Sequence, residues 1–440
     1  MPARYYLRSF GCQMNAHDAE RIRALLEAEG LERADAPEAA DVLVYNTCTV
    51  RKSADDRLAG HLGTAARLKR EDPGRVVLVT GCLPQAEQQD FFTRYPFVDG
   101  ALGPQNLHRL PDLLAAAVEP AGTEPAGYFE DGDHFSGDLA ARRTRPFQAW
   151  VQVMSGCTNF CSYCIVPYVR GPERSRALDD VVAEVEGLAA AGVREITLLG
   201  QNVNAYGLDL RRGGDGGAPS FAGLLERLDA VRGIDRIRFM TSHPRDLGDD
   251  LVAAVAKLPS VCEHVHLPAQ AGSDRVLAAM RRGYTACAYL ERVRALRHAV
   301  PDVSITTDLI AGFPGETEAE FAATLDLVRE AAFDAAYTFV FSPRSGTAAA
   351  ELPGQVTAEV RRERVERLID LTQQQALASH GAWLGRRAEV LVEGKSRDGR
   401  LHRGRTRQNV TVNISGAVEP GAIVAVEITA ATSTTLRGTV

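Results

Sequence analysis

Cys157, Cys161 and Cys164 stand in a Cys-x3-Cys-x2-Cys run. Three thiolates on so short a loop can hold three corners of a 4Fe-4S cube and leave the fourth iron open to another ligand. A structural zinc site is the alternative, but zinc takes four closed ligands and the loop has no fourth Cys or His. Cys12, Cys48 and Cys82 lie much farther apart, each about one βα unit from the next. Cys262 and Cys287 have no such companions and read as structural. An iron site with an open position suits chemistry that polar side chains do badly, above all removal of hydrogen from an unactivated C–H bond. A second centre could then hold the atom to be inserted.

Thiols this far apart meet only if the chain carries them to matching ends of parallel elements. Tyr5–Phe10, Asp41–Asn46 and Arg75–Thr80 are short apolar runs rich in β-branched and aromatic residues, and they predict buried parallel strands. Between the first two, Asp18–Glu29 puts Ile22, Leu25 and Leu26 on one face before Gly30, which predicts a helix and right-handed crossovers. Cys12, Cys48 and Cys82 each fall two residues past a predicted strand. All three should therefore reach one carboxyl edge, where ligands of open α/β sheets gather. Three unrelated buried cysteines are the plainer alternative; the repeated placement favours a second three-thiolate cluster.

Six further strands are predicted at Ala149–Met154, Glu195–Leu199, Arg236–Met240, His264–Leu267, Val303–Ile310 and Ala335–Phe341, with helical patterns such as Leu178–Ala191 and Thr317–Ala331 between them. Six βα units suit a partial (βα)6 barrel, short of the usual eight, with an open doubly wound sheet as the alternative. The Cys157 loop follows the first of these strands, on the face where such barrels carry their chemistry. In the tail, Arg387–Glu393, Asn409–Ile414, Ala422–Thr429 and Thr434–Arg437 predict short strands without helices, as in a small β-barrel of the oligonucleotide-binding sort. The expected α/β chain thus divides into an N-terminal parallel domain with the second thiol set (1–118), a Pro- and Gly-rich linker (119–145), the partial barrel (146–375) and a small C-terminal β-barrel (376–440).

The 440 residues carry 50 Lys and Arg against 57 Asp and Glu, a formal net charge of −7, so a wholly basic nucleic-acid coat is excluded. The tail differs. From Ala376 on, nine Lys and Arg oppose five acids, and six of the nine (Lys395, Arg397, Arg400, Arg403, Arg405, Arg407) crowd around one acid, Asp398. A solvated charged loop or a phosphate-binding surface would both look like this. No apolar stretch is long enough for a membrane span, and Met1–Phe10 lacks the core of a leader. The expected location is the cytoplasm, where the eight cysteines stay reduced. Gly312-Phe313-Pro314-Gly315 is followed by no Lys-Ser/Thr, which argues against a nucleoside-triphosphate loop.

Cys157-Thr-Asn-Phe-Cys161-Ser-Tyr-Cys164 resembles the signature of radical S-adenosylmethionine enzymes. The longer run from Gly156 to Arg176, with Ile165-Val166-Pro167-Tyr168 and Arg170-Gly171, resembles their methylthiotransferase family. So do Gly11-Cys12-Gln13-Met14-Asn15, Asn46-Thr47-Cys48-Thr49-Val50-Arg51, Gly81-Cys82, and a TRAM-like tail at Gly404-Arg405-Thr406-Arg407-Gln408-Asn409. Gly200-Gln201-Asn202-Val203-Asn204-Ala205-Tyr206-Gly207 and Thr241-Ser242-His243-Pro244 are similar to the MiaB-type branch. Departures are few: Ala19 and Ala271 stand where serine is expected, and Ser155 where glutamate is frequent.

The resemblance implies methylthiolation of carbon 2 of isopentenylated adenosine beside the tRNA anticodon. It implies two 4Fe-4S clusters. Cys157, Cys161 and Cys164 hold the one that binds S-adenosylmethionine, the radical source; Cys12, Cys48 and Cys82 hold the auxiliary one carrying sulfur, methylated by a second S-adenosylmethionine. Gln201, Asn202, Gln270, Ser273, Asp308, Gly312 and Arg344, all at predicted strand ends, are the expected cofactor contacts. Lys395, Arg403, Arg405 and Arg407 are the expected RNA contacts. The partners implied are tRNA and an electron donor such as flavodoxin or ferredoxin, with no membrane and a monomeric chain. The alternatives are a methylthiotransferase for threonylcarbamoyl-adenosine or for a ribosomal-protein aspartate, and a non-enzymatic iron–sulfur protein that binds RNA and senses redox state.

Overall fold

Strand β1 (Arg4–Ser9) leads through helix α1 (Gln13–Ala28) and the short β2 (Glu32–Arg33) to β3 (Val42–Thr47). Helix α2 (Lys52–Glu71), β4 (Val76–Gly81), α3 (Cys82–Glu87), α4 (Gln89–Arg94), β5 (Gly100–Leu102), α5 (Leu110–Val118) and β6 (Ala126–Tyr128) follow. The computed structural model describes residues 3–49, 52–118, 124–130, 132, 134–212, 217 and 219–440. All six strands pair in parallel, in the order β2-β1-β3-β4-β5-β6. Strands β3 and β4 are buried at every position, because alternate side chains enter different cores. Leu43, Tyr45, Val77 and Val79 pack with Leu58, Leu62 and Phe91. Val42, Val44, Val76 and Leu78 pack with Ile22, Leu26 and Leu113.

The stretch expected to be a linker is in part structured. Ala126–Tyr128 completes the sheet as edge strand β6, and Ser136–Asp138 forms a 3-10 turn whose Ser136 Oγ donates to Asp18 Oδ1 at 3.0 Å. Its Gly and Pro content hid a three-residue strand too short to show a period. The expected linker residues Glu119–Thr123, and Val50 and Arg51 of the second thiol motif, lie outside the described residues.

Contacts gather the chain into two compact units: Met1–Thr144 with Trp150–Thr158 and Cys164–Arg176, and Arg145–Ala149 with Asn159–Tyr163 and Ala177–Val440. Strand β7 (Gln148–Gln152) passes from the second into the first, which also holds β8 (Met154–Ser155), α6 (Val166–Arg170) and β9 (Arg174–Ser175).

The second unit continues with α7 (Leu178–Ala190), β10 (Glu195–Leu199), α8 (Leu208–Arg212), α9 (Phe221–Asp229), β11 (Arg236–Phe239), α10 (Asp249–Lys257) and β12 (His264–His266). Next come α11 (Asp274–Ala279), α12 (Ala286–Ala299), β13 (Ser304–Ala311), α13 (Glu318–Ala331) and β14 (Ala335–Val340). Strands β10 and β11 pair in parallel, as do β12, β13 and β14, and a single parallel bridge at Ile237–Val261 joins the two sets. Strands form at all six predicted places, and strand alternates with helix as expected of an α/β partial barrel.

Helix α14 (Ala358–Gly381) starts at Thr357, whose side chain accepts from the Val360 amide. It runs through residue 376, so the division expected there falls inside a helix. Ala376, Leu377 and Ala378 keep it going, and the chain enters the next strand only after Gly385. Strands β15 (Arg387–Lys395), β16 (His402–Thr406), β17 (Thr411–Ser415), β18 (Ile423–Ala431) and β19 (Leu436–Thr439) close a barrel in the order β15-β16-β17-β19-β18. Strand β16 was not predicted. Its inward residues are Gly404 and Thr406 and its half-buried ones are His402, Arg403 and Arg405, so the alternation shows no apolar signal.

Candidate functional site

Strands β1, β3 and β4 end side by side, and Cys12, Cys48 and Cys82 follow them three, one and one residues on. Two asparagines tie these ends together. Asn15 Nδ2 donates to Asn46 Oδ1 (3.1 Å) and the Thr47 carbonyl (2.8 Å), while Asn46 Nδ2 donates back to the Asn15 carbonyl (2.9 Å). The Cys12 thiol donates to Asn15 Oδ1 at 3.3 Å. Gly11, at φ 119°, is required here: a Cβ would run into the Cys48 side chain, with its Sγ only 3.0 Å away.

The electrostatics of this edge favour thiolate at Cys12. A hydrogen bond from Cys48 outweighs burial and, with the charge of Arg170 and amides near Asn15, brings Cys12 down to about 6. Burial raises Cys82, against the pull of the same arginine. None of the eight cysteines is in a disulfide. Among the described residues no three His, Cys, Asp or Glu side chains converge on a single metal-ion position. The donor set, three neighbouring thiols beside a buried cation, fits a multinuclear iron–sulfur group held at separate corners.

Residues of the other thiol loop are held within each unit separately. Gly156, at φ 79°, lets the chain pass against the Pro172 carbonyl, and the Cys157 amide donates to the Gly171 carbonyl at 3.1 Å. In the second unit the Ser162 amide donates to the Met280 carbonyl (3.1 Å), and Cys161 Sγ accepts from Arg282 Nη1 at 3.4 Å. Cys157 and Cys161 are buried and Cys164 partly so. Three reduced thiols within eight residues, one already facing a guanidinium, fit the ligand set of a cluster.

The expected cofactor contacts divide by what already engages them. Asn202 Nδ2 donates to Asp246 Oδ2 (2.9 Å), and Gln201 Oε1 is buried with no hydrogen-bond partner among the described residues. The Gln270 backbone bridges to β13, its amide donating to the Asp308 carbonyl and its carbonyl accepting from Ile310, both at 2.9 Å. Ser273 caps α11, accepting from the Val276 amide, and its hydroxyl donates to Glu320 Oε1 at 3.3 Å. Asp308 stands 3.5 Å from His266 Nε2, and the Tyr337 ring meets His266 edge-on at 5.9 Å. The Gly312 amide donates to Glu316 Oε2 (2.8 Å), and the Arg344 carbonyl accepts from Thr347.

The expected RNA contacts are also unequal. Lys395 is exposed and Arg403 partly so. Arg405 donates to Glu393 Oε1 (3.1 Å) and Asn409 Oδ1 (3.1 Å), and Arg407 is held by Glu263. Arg236 Nη1 and Arg238 Nη2, on β11, donate to the carbonyls of Arg405 (2.9 Å) and Thr406 (2.7 Å). The Arg407 side chain therefore serves the seam between the barrel strands and the tail, whereas that of Arg405 is held within the tail. Sequence reasoning missed Arg282, which lies 121 residues from the thiol it contacts and has no local pattern around it. Arg170 stands within the Gly156–Arg176 run, whose resemblance assigns it no role.

Comparison with known proteins agrees with this architecture. The profile of the Radical SAM superfamily matches residues 151–328, that of the TRAM domain 383–440, and that of "Uncharacterized protein family UPF0004" 4–103. The solved structure of the radical S-adenosylmethionine methyltransferase TsrM from Kitasatospora setae shares the fold, with TM-score 0.58 at 16% identity over 80% of this chain and 77% of that one. By fold and thiol signature the chain is a radical S-adenosylmethionine enzyme. A tRNA-2-methylthio-N(6)-dimethylallyladenosine synthase from Moorella thermoacetica is 46% identical over 98% of this chain and 96% of its own length. One from Caldicellulosiruptor saccharolyticus is 46% identical over 93% of this chain and 86% of its own. The chain belongs to the family of tRNA-2-methylthio-N(6)-dimethylallyladenosine synthases.

Proposed function

We propose that the chain methylthiolates carbon 2 of N6-isopentenyladenosine next to the tRNA anticodon, using two thiol-held centres. Cys157, Cys161 and Cys164 would hold the cluster that binds S-adenosylmethionine, and Cys12, Cys48 and Cys82 an auxiliary cluster. When bound, the first supplies, with S-adenosylmethionine, a radical able to take hydrogen from an unactivated C–H bond, and the second carries the sulfur. The chain orients these parts. The Gly171 carbonyl and Arg282 fix two of the first three thiols, and Asn15 and Asn46 hold the strand ends that present the others. Gln201, Asn202, Gln270, Gly312 and Arg344, in the loops after strands, and Asp308, within β13, would meet the cofactor, and Ser273 would support them through its cap.

The observation that supports this reading is that Cys12, Cys48 and Cys82 follow three adjacent strands, β1, β3 and β4, near Arg170. The tail contributes RNA binding through its exposed hairpin, Lys395, Arg397, Arg400 and Arg403. The reaction needs an external electron donor of the flavodoxin or ferredoxin kind, and the chain is proposed to work as a monomer.

The test is anaerobic reconstitution with iron and sulfide. Cys157→Ala should form no 5′-deoxyadenosine. Cys12→Ala should still cleave S-adenosylmethionine but yield no methylthiolated nucleoside, and a normal yield would remove the auxiliary centre from the reaction. Mass spectrometry of nucleosides from a deletion strain should show loss of methylthio-isopentenyladenosine; loss of the threonylcarbamoyl product instead would reassign the substrate.

A further inference from the structure

The Arg170 side chain, in the run Pro167-Tyr168-Val169-Arg170-Gly171, has no task in the reaction above. That run forms the end of α6, which packs on α3, the helix that Cys82 opens. The Arg170 carbonyl accepts from Gln105 Nε2 at 2.8 Å, and its side chain turns inward, only 5% exposed. There the guanidinium is within hydrogen-bonding reach of Cys82 and close enough to Cys12 to act on its charge. Its Nη2 stands 3.6 Å from Asp18 Oδ2 and has no hydrogen-bond partner among the described residues. Asp18 is buried too, held by Ser136 Oγ at 3.0 Å and His17 Nδ1 at 3.1 Å.

A buried, charged donor left without an acceptor is unfavourable. Folding places this one beside Cys82 and Cys12, so the missing acceptor belongs to whatever those thiols hold. Potentials of iron–sulfur centres respond to local charge and to hydrogen bonds on their sulfurs.

We propose that Arg170 is a positioning and charge-compensating residue for the centre held by Cys12, Cys48 and Cys82, its free N–H donating to a sulfur of that centre and its charge, offset by Asp18, setting how readily the centre takes up an electron. This rests on the three-thiol reading above. No bond is made or broken; the electron comes from the external donor. The cation favours the reduced, more negative state and Asp18 opposes it, so removing each should move the potential in opposite directions.

The experiment uses the full-length chain carrying Cys157→Ala, Cys161→Ala and Cys164→Ala, reconstituted anaerobically so that one centre remains, with its midpoint read by EPR-monitored titration. Arg170→Gln should lower the one-electron reduction constant about tenfold, about 59 mV. Asp18→Asn should raise the midpoint, and Arg170→Lys should restore part of the loss. Iron and sulfide content should not change. If Arg170→Gln loses iron, Asp18→Asn and Arg170→Lys carry the same test. Unmoved midpoints, or shifts of one sign in both variants, would reduce Arg170 to a packing role and overturn the proposal. A parent protein that binds no iron would overturn the three-thiol reading itself.

Discussion

Arg407 grips Glu263 with a two-pronged ion pair, Nε to Oε2 and Nη2 to Oε1, both at 2.8 Å, while Nη2 also donates to the Val261 carbonyl at 2.7 Å. An arginine of the C-terminal barrel is thus committed to the segment that leads into β12. Both side chains are largely covered. Removing one partner should cost more than the roughly 1 kcal/mol of exposed pairs and less than the roughly 3–5 kcal/mol of fully buried ones. Glu263→Ala or Arg407→Ala should lower the thermal midpoint and speed proteolysis between α14 and β15. Glu263→Arg combined with Arg407→Glu should recover part of the loss; no recovery would mean the pair is incidental.

The same commitment divides the basic tail. Arg397 and Arg400 are exposed, whereas Arg405 and Arg407 are bonded within the chain. Neutralising Arg397 and Arg400 should flatten the salt dependence of tRNA binding by about 0.7–0.9 in log–log slope per lost phosphate contact. Arg407→Gln should leave the slope unchanged and alter stability instead. A reversed pattern would place the RNA on the seam side of the barrel.

Acid should destabilise the second unit before its carboxylates titrate. Burial, with Arg282 and Arg245 nearby, holds His243 down to about 2 from the ordinary 6.5. Burial, with Arg238, His266 and Arg405 nearby, holds His264 well below 6.5. Both stay neutral when folded and take up protons when unfolded, so the stability they contribute is present above about pH 6.5 and is lost as pH falls. The slope is about 1.4 kcal/mol per pH unit for each histidine. Denaturant titrations between pH 7 and 5 should show it, and His264→Asn should remove one proton's worth; an unchanged slope would mean His264 is protonated in the fold.

Gly156→Ala should weaken iron retention while every thiol remains. The position combines φ 79° with the Pro172 carbonyl in the space a methyl group would need. Relative to wild type, reconstituted protein should hold less iron per chain and yield less 5′-deoxyadenosine. Full iron content would show that the loop adjusts freely.

Much of this was legible in the sequence because the signals were local. Strands β3 and β4 begin as continuous apolar runs, and Cys12, Cys48, Cys82 and Cys157 follow within three residues of strand ends. The rest depended on contacts distant in the chain. Arg282 reaches Cys161 from a stretch with no periodicity, and Arg236 and Arg238 look like surface charges inside a strand until the tail's carbonyls are seen to cover them. Strand β16 escaped because glycine and threonine fill its inward positions. Ser273, expected at the cofactor, is spent on a helix cap, which its neighbours Asp274 and Val276 could have suggested.

Gly11 and Gly156 each precede a thiol by one residue, and at both the missing side chain leaves room for another part of the backbone or for a second sulfur. Ligand spacing in this protein is therefore governed by empty volume as much as by the cysteines. A chain that kept all six thiols but filled either vacancy would carry the familiar signature and still lose its grip on iron, so counting cysteines alone would misjudge which relatives remain competent.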